Sequence, residues 1–281
     1  MEIRYLANKE KEISRSLYEE VFVEDEEAFV DAYYKIKAAD NQILAAVEEG
    51  HIRSMLHRNP YTFRFRGKCV HADYLVAVAT KRTYRHQGLM RRILVKALQD
   101  MEQEGQPFAF LMPADEAIYL PFDFRLMGND DEESLSDLKS AQLSEEYDLY
   151  IEKDEAYERR HIPWPEWETT PMMIRLLHLP SFLRQVGAAQ EQSLTIAITD
   201  PILAKNQGTF RWELTTEGSR LLPVREEPEL EISIGDLGSF LCGMLGAEEL
   251  PGISEAADGK MLKEKLNRIQ VLEGIYINET V

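Results

Sequence analysis

Residues 74–98, "YLVAVATKRTYRHQGLMRRILVKAL", begin with the pattern of a strand and end with that of a helix. Tyr74, Leu75, Val76 and Val78 form the apolar run expected of a buried strand. From Gly88 onward, Leu89, Met90, Ile93, Leu94, Ala97, Leu98 and Met101 recur at helical spacing. They leave Arg91, Arg92, Lys96 and Gln99 outside the apolar face. Arg85-His86-Gln87-Gly88 therefore opens a helix directly after a strand. The start of a helix has unpaired amide hydrogens and a partial positive charge, so it binds phosphates readily. Gly88 removes a side chain that would block approach to the backbone, and Lys81, Arg82, Arg85, Arg91 and Arg92 add flanking charge.

That charge is informative because the chain as a whole is acidic, with 50 Asp and Glu against 32 Lys and Arg and a net charge of −18. Such a balance argues against a nucleic-acid partner, which needs a basic face. It favours cationic substrates through long-range steering, although solubility is reason enough for most of it. No run of 18 apolar residues occurs, so no membrane span is expected, and "MEIRYLANKEKEIS" lacks the apolar core of a signal peptide. Cys69 and Cys242 form no CxxC pair and read as reduced, buried thiols of a cytoplasmic protein. The histidines are scattered without HExxH or paired ligand spacing, so no metal site is expected. His86 is as much an exposed polar filler as a phosphate contact. There is no GxSxG elbow, no Walker loop and no GxGxxG fingerprint.

Outward from this junction the pattern is that of a mixed α/β domain ending near residue 140. "MEIRYL" suits a short strand, and residues 9–22 and 26–39 have helical spacing. Residues 41–59 and 61–80 suggest antiparallel strands with turns near Gly50 and Gly67-Lys68. "FAFLMPA" is a further buried strand, followed by a short helix around "DEAIYL". The stretch 128–171 is highly charged, with Pro163, Pro165 and Pro171 in its last third, and residues 141–170 are expected to be a connector with some helix, pinned to a surface by Trp164, Trp167 and the neighbouring prolines. "DDEE" at 130–133 and "EEPELE" at 226–231 read as solvated faces. A second unit over 171–281 opens with "MMIRLLHLPSFL", strand then helix. It continues through the strands "SLTIAITDP" and "GTFRWELT", the strand–helix "LEISIGDLGSFLCGML", a helix over 260–270 and a final strand-like "GIYINETV".

"VATKRTYRHQGLM" resembles the acetyl-CoA motif of the GNAT-superfamily N-acetyltransferases, whose pyrophosphate loop has the form R/Q-x-x-G-x-G/A. Met90 occupies the last position, where the superfamily more often has Gly or Ala. "RxxGLM" together with "AIYLPFDF" at 117–124 resembles the enhanced-intracellular-survival (Eis) branch, and the segments quoted from 171–281 resemble its sterol-carrier-protein-like C-terminal domain. The fold class implied is α/β (α+β): a GNAT mixed-sheet domain over 1–140, the connector, and a smaller sterol-carrier-like α/β domain over 171–281. Longer members of that branch have a second GNAT-like domain in the middle, for which this chain has no room.

The resemblance implies an acetyl-CoA-dependent N-acetyltransferase that moves acetyl to a primary amine by direct attack in a ternary complex. The acceptor would be a small molecule or a peptide; no metal, nucleic acid or membrane is called for, and a homo-oligomer is compatible with it. Val78, Ala79 and Thr80 match the strand whose backbone holds the pantetheine arm and faces the thioester oxygen. Arg85, His86, Gln87, Gly88, Leu89, Met90 and Arg91 match the pyrophosphate loop, and Ala114 and Asp115 match cofactor contacts after the next strand. Tyr119 matches the general acid; a phenol with pKa near ~10 suits protonation of a leaving thiolate at neutral pH. Without the resemblance Tyr119 would read as a core tyrosine. The branch uses a free C-terminal carboxylate as base, which here falls on Val281; Asp115 and Glu116 are the other acids with a claim. A different class of function is a lipid or small-ligand binding protein whose C-terminal domain does the work beside a vestigial acetyltransferase domain.

Overall fold

The computed structural model describes residues 1–127, 140–162, 172–253, 259–277 and 279. Its first sheet is built of hairpins. β1 (Glu2–Tyr5) pairs with β2 (Gln42–Glu48), β2 with β3 (His51–Phe65) and β3 with β4 (Lys68–Thr80), all antiparallel. Tight turns close the last two pairs, with φ positive at both central residues: 51° and 76° at Glu49-Gly50, 46° and 74° at Arg66-Gly67. That conformation carries the twist of the flanking strands and needs glycine at its second residue. The second turn thus lies one residue before the expected Gly67-Lys68. Between β1 and β2 the chain makes a 3-10 helix over Asn8–Ser14, then α1 (Arg15–Val21) and α2 (Glu27–Asp40).

After β4, α3 (Leu89–Gln103) leads to β5 (Phe108–Leu111). The helix buries Leu89, Ile93, Leu94, Ala97, Leu98 and Met101 against the sheet, the face marked by their spacing, while Met90 is half-buried. Next come α4 (Glu116–Tyr119), a 3-10 turn at Leu120–Phe122 and β6 (Arg125–Leu126).

The hydrogen bonding does not stop at residue 140. α5 (Ser140–Glu146), β7 (Leu149–Ile151) and α6 (Glu155–Arg160) occupy the stretch expected to be a connector, and β7 pairs with Phe63–Phe65 of β3. β8 (Met173–Leu176) pairs antiparallel with both β5 and β6. The nine-stranded sheet formed by the described residues therefore takes strands from all three parts of the chain. The strand at 149–151 escapes a periodicity test because it is only three residues between charged flanks. Trp164, Trp167 and "DDEE" lie outside the described residues.

The C-terminal unit begins with α7 (Leu179–Leu183) and holds a second sheet. This comprises β9 (Gln192–Thr199), β10 (Gly208–Leu214), β11 (Ser219–Pro223) and β12 (Leu230–Ser233) in the order β11-β10-β9-β12. β11 was not expected; its residues are half-buried or exposed and it ends on a proline, as edge strands do. α8 (Ile234–Leu241) and α9 (Gly259–Leu266) follow, the latter ending four residues before the expected Gln270. β13 (Ile275–Tyr276) then returns to the first sheet, parallel to β7. Cys242 is buried as expected, but Cys69 is exposed beside the β3–β4 turn, where a strand end leaves it uncovered.

α3 and α2 cover opposite faces of the first sheet. On the α3 face, buried Arg58 of β3 donates to Asp73 of β4 at 2.7 Å, to Tyr5 of β1 at 2.9 Å and to Glu104 beyond α3. On the other face Tyr33 of α2 bonds His57 at 2.8 Å, and Lys37 donates to Tyr61 at 2.9 Å. Full burial holds His57 down to a pKa of about 3, so it is a neutral core group. Arg58→Met should leave Asp73 buried without its partner and lower the unfolding free energy by ~3–5 kcal/mol. Urea denaturation checks this, and an unchanged midpoint would contradict the role given to Arg58.

Candidate active site

β4 and β5 run parallel for only two residue pairs, Asp73 with Ala109 and Tyr74 with Phe110. Beyond Tyr74 the strands part, and among the described residues no strand lies on that side of 75–80. β4 also bulges there. Met55 faces Ala79 and His57 faces Val76, so Leu56 has both Ala77 and Val78 opposite it. Ala77 takes φ 50°, which turns the backbone out of the regular pleat. Val78 and Thr80 are half-buried and Ala79 is buried. The carbonyl of Ala79 accepts from Ser54 Oγ of β3 at 3.0 Å and that of Thr80 from Arg85 Nε at 3.1 Å, which ties this end of β4 to β3 and to the turn that follows.

The turn is braced from below and open above. Lys81 pairs with Glu20 of α1 at 3.4 Å, and the Tyr84 hydroxyl donates to Glu48 at 2.8 Å. His86 and Gly88 take φ 59° and 74°. Gly88 caps α3 with no side chain, and a Cβ built there would meet nothing within 4 Å. The glycine is therefore required by its left-handed backbone and not by crowding. Arg82, Arg85, His86, Gln87, Arg91 and Arg92 are exposed around this helix start. Among the described residues none of the four arginines makes an ion pair, although the chain has an excess of carboxylates. Leu89 turns its side chain into the core, so only its backbone faces the turn.

The segment after β5 comes back to meet α3. The Arg91 guanidinium lies over the Phe122 ring, 5.4 Å from its centre. Ala114 is exposed. The Asp115 carboxylate is taken up as the cap of α4, accepting from the Ala117 amide at 2.9 Å. Tyr119 is 7% exposed and sets its ring edge-on to Phe124, with centroids 6.0 Å apart. Its hydroxyl has no hydrogen-bond partner among the described residues, and burial pushes its pKa up to about 12. It lies within electrostatic range of Tyr74, which stacks on Phe110 at 4.9 Å where the two strands part.

The end of the described chain reaches the same face. Glu279 is buried; its Oε2 accepts from Tyr61 at 2.7 Å, Tyr157 of α6 bonds the same carboxylate, and Oε1 is buried without a partner. Tyr61 in turn sits 6.2 Å from the Tyr74 ring. A cleft of about 340 Å³ opens beside Tyr61 and Tyr157, with Lys37 and Arg160 in its wall. Val281 lies outside the described residues. The structure thus joins the end of β4, the 85–91 turn and the Tyr119 segment, and commits Asp115 to a cap. Sequence reasoning missed Ala77, Phe122, Phe124 and Glu279. Only Phe122 and Phe124 carried a signal, as aromatics inside the segment around Tyr119.

Residues 2–127 match the family of acetyltransferase (GNAT) domains, and residues 179–272 match that of sterol carrier protein domains. The chain is therefore a GNAT acetyltransferase domain followed by a sterol carrier protein domain. The whole chain has the fold of several solved structures. A probable N-acyltransferase from Enterococcus faecalis V583 superposes with a TM-score of 0.76 at 11% identity over 98% of each chain. A GCN5-related N-acetyltransferase from Anabaena variabilis gives 0.68 at 14% identity over 95% of this chain and 97% of that one. Eis1 from Mycobacterium abscessus gives 0.66 at 13% identity, covering 100% of this chain and 99% of that one. At such identities the likeness is one of fold. No curated protein sequence matches the chain. No helix among the described residues is long and apolar enough to cross a membrane.

The raised pKa of Tyr119 has a consequence for stability. In the unfolded chain a tyrosine ionises near pH ~10, whereas the folded protein keeps this phenol protonated until about pH 12. Its contribution is fully present below pH ~10 and is lost as pH rises through the folded value. The difference in unfolding free energy between wild type and Tyr119→Phe should therefore be flat from neutral pH to about 10 and turn against the wild type above it. A difference that already changes between about pH 7 and 9 would contradict the environment described for Tyr119.

Proposed function

We propose that the protein transfers acetyl from acetyl-CoA to a primary amine by direct attack in a ternary complex. The observation that carries this reading is the set of arginines (Arg82, Arg85, Arg91 and Arg92) that make no ion pair among the described residues, around the open start of α3. A pyrophosphate is the ligand such a start suits, because unpaired amides and fixed positive charge act together. Acetyl-CoA, when bound, supplies an activated acetyl group. The backbone of Val78, Ala79 and Thr80, freed from β5 and turned by the bulge, would line its arm and offer an amide to the thioester oxygen as negative charge develops there. The backbone of 85–91 would take the phosphates, with Ala114 and the backbone of Asp115 beside the arm.

Tyr119 is protonated at neutral pH and its hydroxyl has no hydrogen-bond partner among the described residues, so it can give its proton to the departing sulfur. The base for the amine belongs in this reading to the C-terminal segment, where Val281 is the proposed residue; the buried Glu279 supports bringing that segment to the face of Tyr74. The acceptor is an amine of small-molecule or peptide type. An acetyl-CoA thiol-release assay against an amine panel tests the activity, and a panel of small amines and amine-bearing peptides without turnover would count against it.

Two variants test the assignments. Gly88→Glu places a side chain in a left-handed position and a carboxylate against the pyrophosphate, so acetyl-CoA affinity should fall sharply in calorimetric titration. Unchanged affinity with the fold intact would remove the cofactor from this turn. Tyr119→Phe should leave acetyl-CoA binding nearly intact and lower kcat by ~10²–10⁴. A kcat within about threefold of wild type would return Tyr119 to a packing role.

A further inference from the structure

The turn that carries Tyr119 is held by three arginines from different parts of the chain. Arg91 of α3 covers the Phe122 ring, as described. Arg125 of β6 donates to the Phe124 carbonyl at 3.0 Å and to the Leu120 carbonyl at 3.5 Å. Arg175 of β8 donates through Nε to the Phe122 carbonyl at 3.2 Å. Two of the three are gripped from behind by the C-terminal unit. Arg175 Nη2 donates to Asp200 at 2.7 Å, a pair whose side chains are both 0% exposed, and Arg175 Nη1 donates to the Leu176 carbonyl. Asp200 also accepts from the amides of Ile202 and Leu203 and from Asn206 Nδ2, so its own position is fixed. Arg125 stands 3.8 Å from Asp236, against Gly235, where a Cβ would lie 2.6 Å from the guanidinium carbon.

A fully buried ion pair is an inefficient way to stabilise a fold, because the desolvation of both charges offsets much of their attraction. What it supplies is direction: a guanidinium clamped at one end presents its other nitrogens at fixed angles. Here those nitrogens meet carbonyls at and just beyond the 3-10 turn; that of Phe122 accepts from no backbone amide among the described residues, while that of Leu120 also accepts from the Asp123 amide. We infer that the sterol carrier protein domain positions Tyr119 for proton donation, through Arg175 held by Asp200 and through Arg125 held by Asp236 and Gly235. Arg175 and Arg125 are positioning residues in this scheme and touch neither substrate. The inference rests on the acid role proposed for Tyr119.

A double-mutant cycle on the full chain tests it. Arg175→Lys keeps a charge for Asp200 but cannot span to the Phe122 carbonyl as well. It should lower kcat by about tenfold or more while the KM for acetyl-CoA stays unchanged. In a Tyr119→Phe background the same change should cost nothing further, because the group it positions is gone. Lys205→Ala, which breaks another contact between the two units (the 2.9 Å pair with Glu102), should leave kcat unaltered. If Arg175→Lys does not fold, Arg125→Gln carries the same cycle, its side chain being 26% exposed. Losses that multiply in the double variant would overturn the inference and leave the acid role of Tyr119 standing. A Tyr119→Phe enzyme with wild-type kcat would overturn both.

Discussion

The parallel pairing of β4 with β5 lasts for two residues, and the arrangement of the candidate site follows from its ending there. Both members of the last β4 pairs are pinned. Asp73 is held on one face by Arg58, and Tyr74 is held on the other by stacking on Phe110. One residue pair further on, the strands have nothing to hold them together, and the bulge at Ala77 turns β4 away. Backbone groups in such a position need water or a ligand as partner. The same divergence fixes where the chain can re-enter as α3, whose open start carries arginines that make no ion pair among the described residues. It also leaves room for the Tyr119 segment to fold back.

The two units recognised as families are not independent bodies. β8 lies between β5 and β6 in the first sheet, and β13 joins β7 after the C-terminal unit has been completed. The buried pair Arg175–Asp200 and the contact of Arg125 with α8 tie the second unit to the turn beyond β5. Glu279 carries the end of the described chain into a cluster of tyrosines on the α2 face. The family boundaries thus divide the sequence more cleanly than the hydrogen bonds divide the structure.

Much of the first domain was legible because its signals are local. Glycine at positive φ marks both hairpins, and the apolar stripe from Leu89 to Met101 is the face that α3 buries. What was not legible depends on partners distant in sequence. Ala77 has no chemical mark of a bulge, since any residue in a strand-like run looks the same until its neighbour strand ends. Arg175 and Glu279 are charges that composition assigns to the surface, yet each is buried by groups far along the chain: Asp200 for one, Tyr61 and Tyr157 for the other. Asp115 kept its helix-start pattern in view, and its carboxylate is used there as a cap. Cys69 was misjudged because thiols are usually buried, whereas here the β3–β4 turn leaves it in solvent.

Hydrogen exchange of the backbone amides with and without acetyl-CoA tests the central claim most directly. The account predicts new protection at 76–80 and at 86–92, where amides freed by the parting of β4 from β5 and by the start of α3 gain a partner. The second sheet, from Gln192 to Ser233, should be unaffected. Protection confined to that sheet, with the β4 end and the 86–92 turn exchanging as before, would contradict the account and move the ligand site into the C-terminal domain.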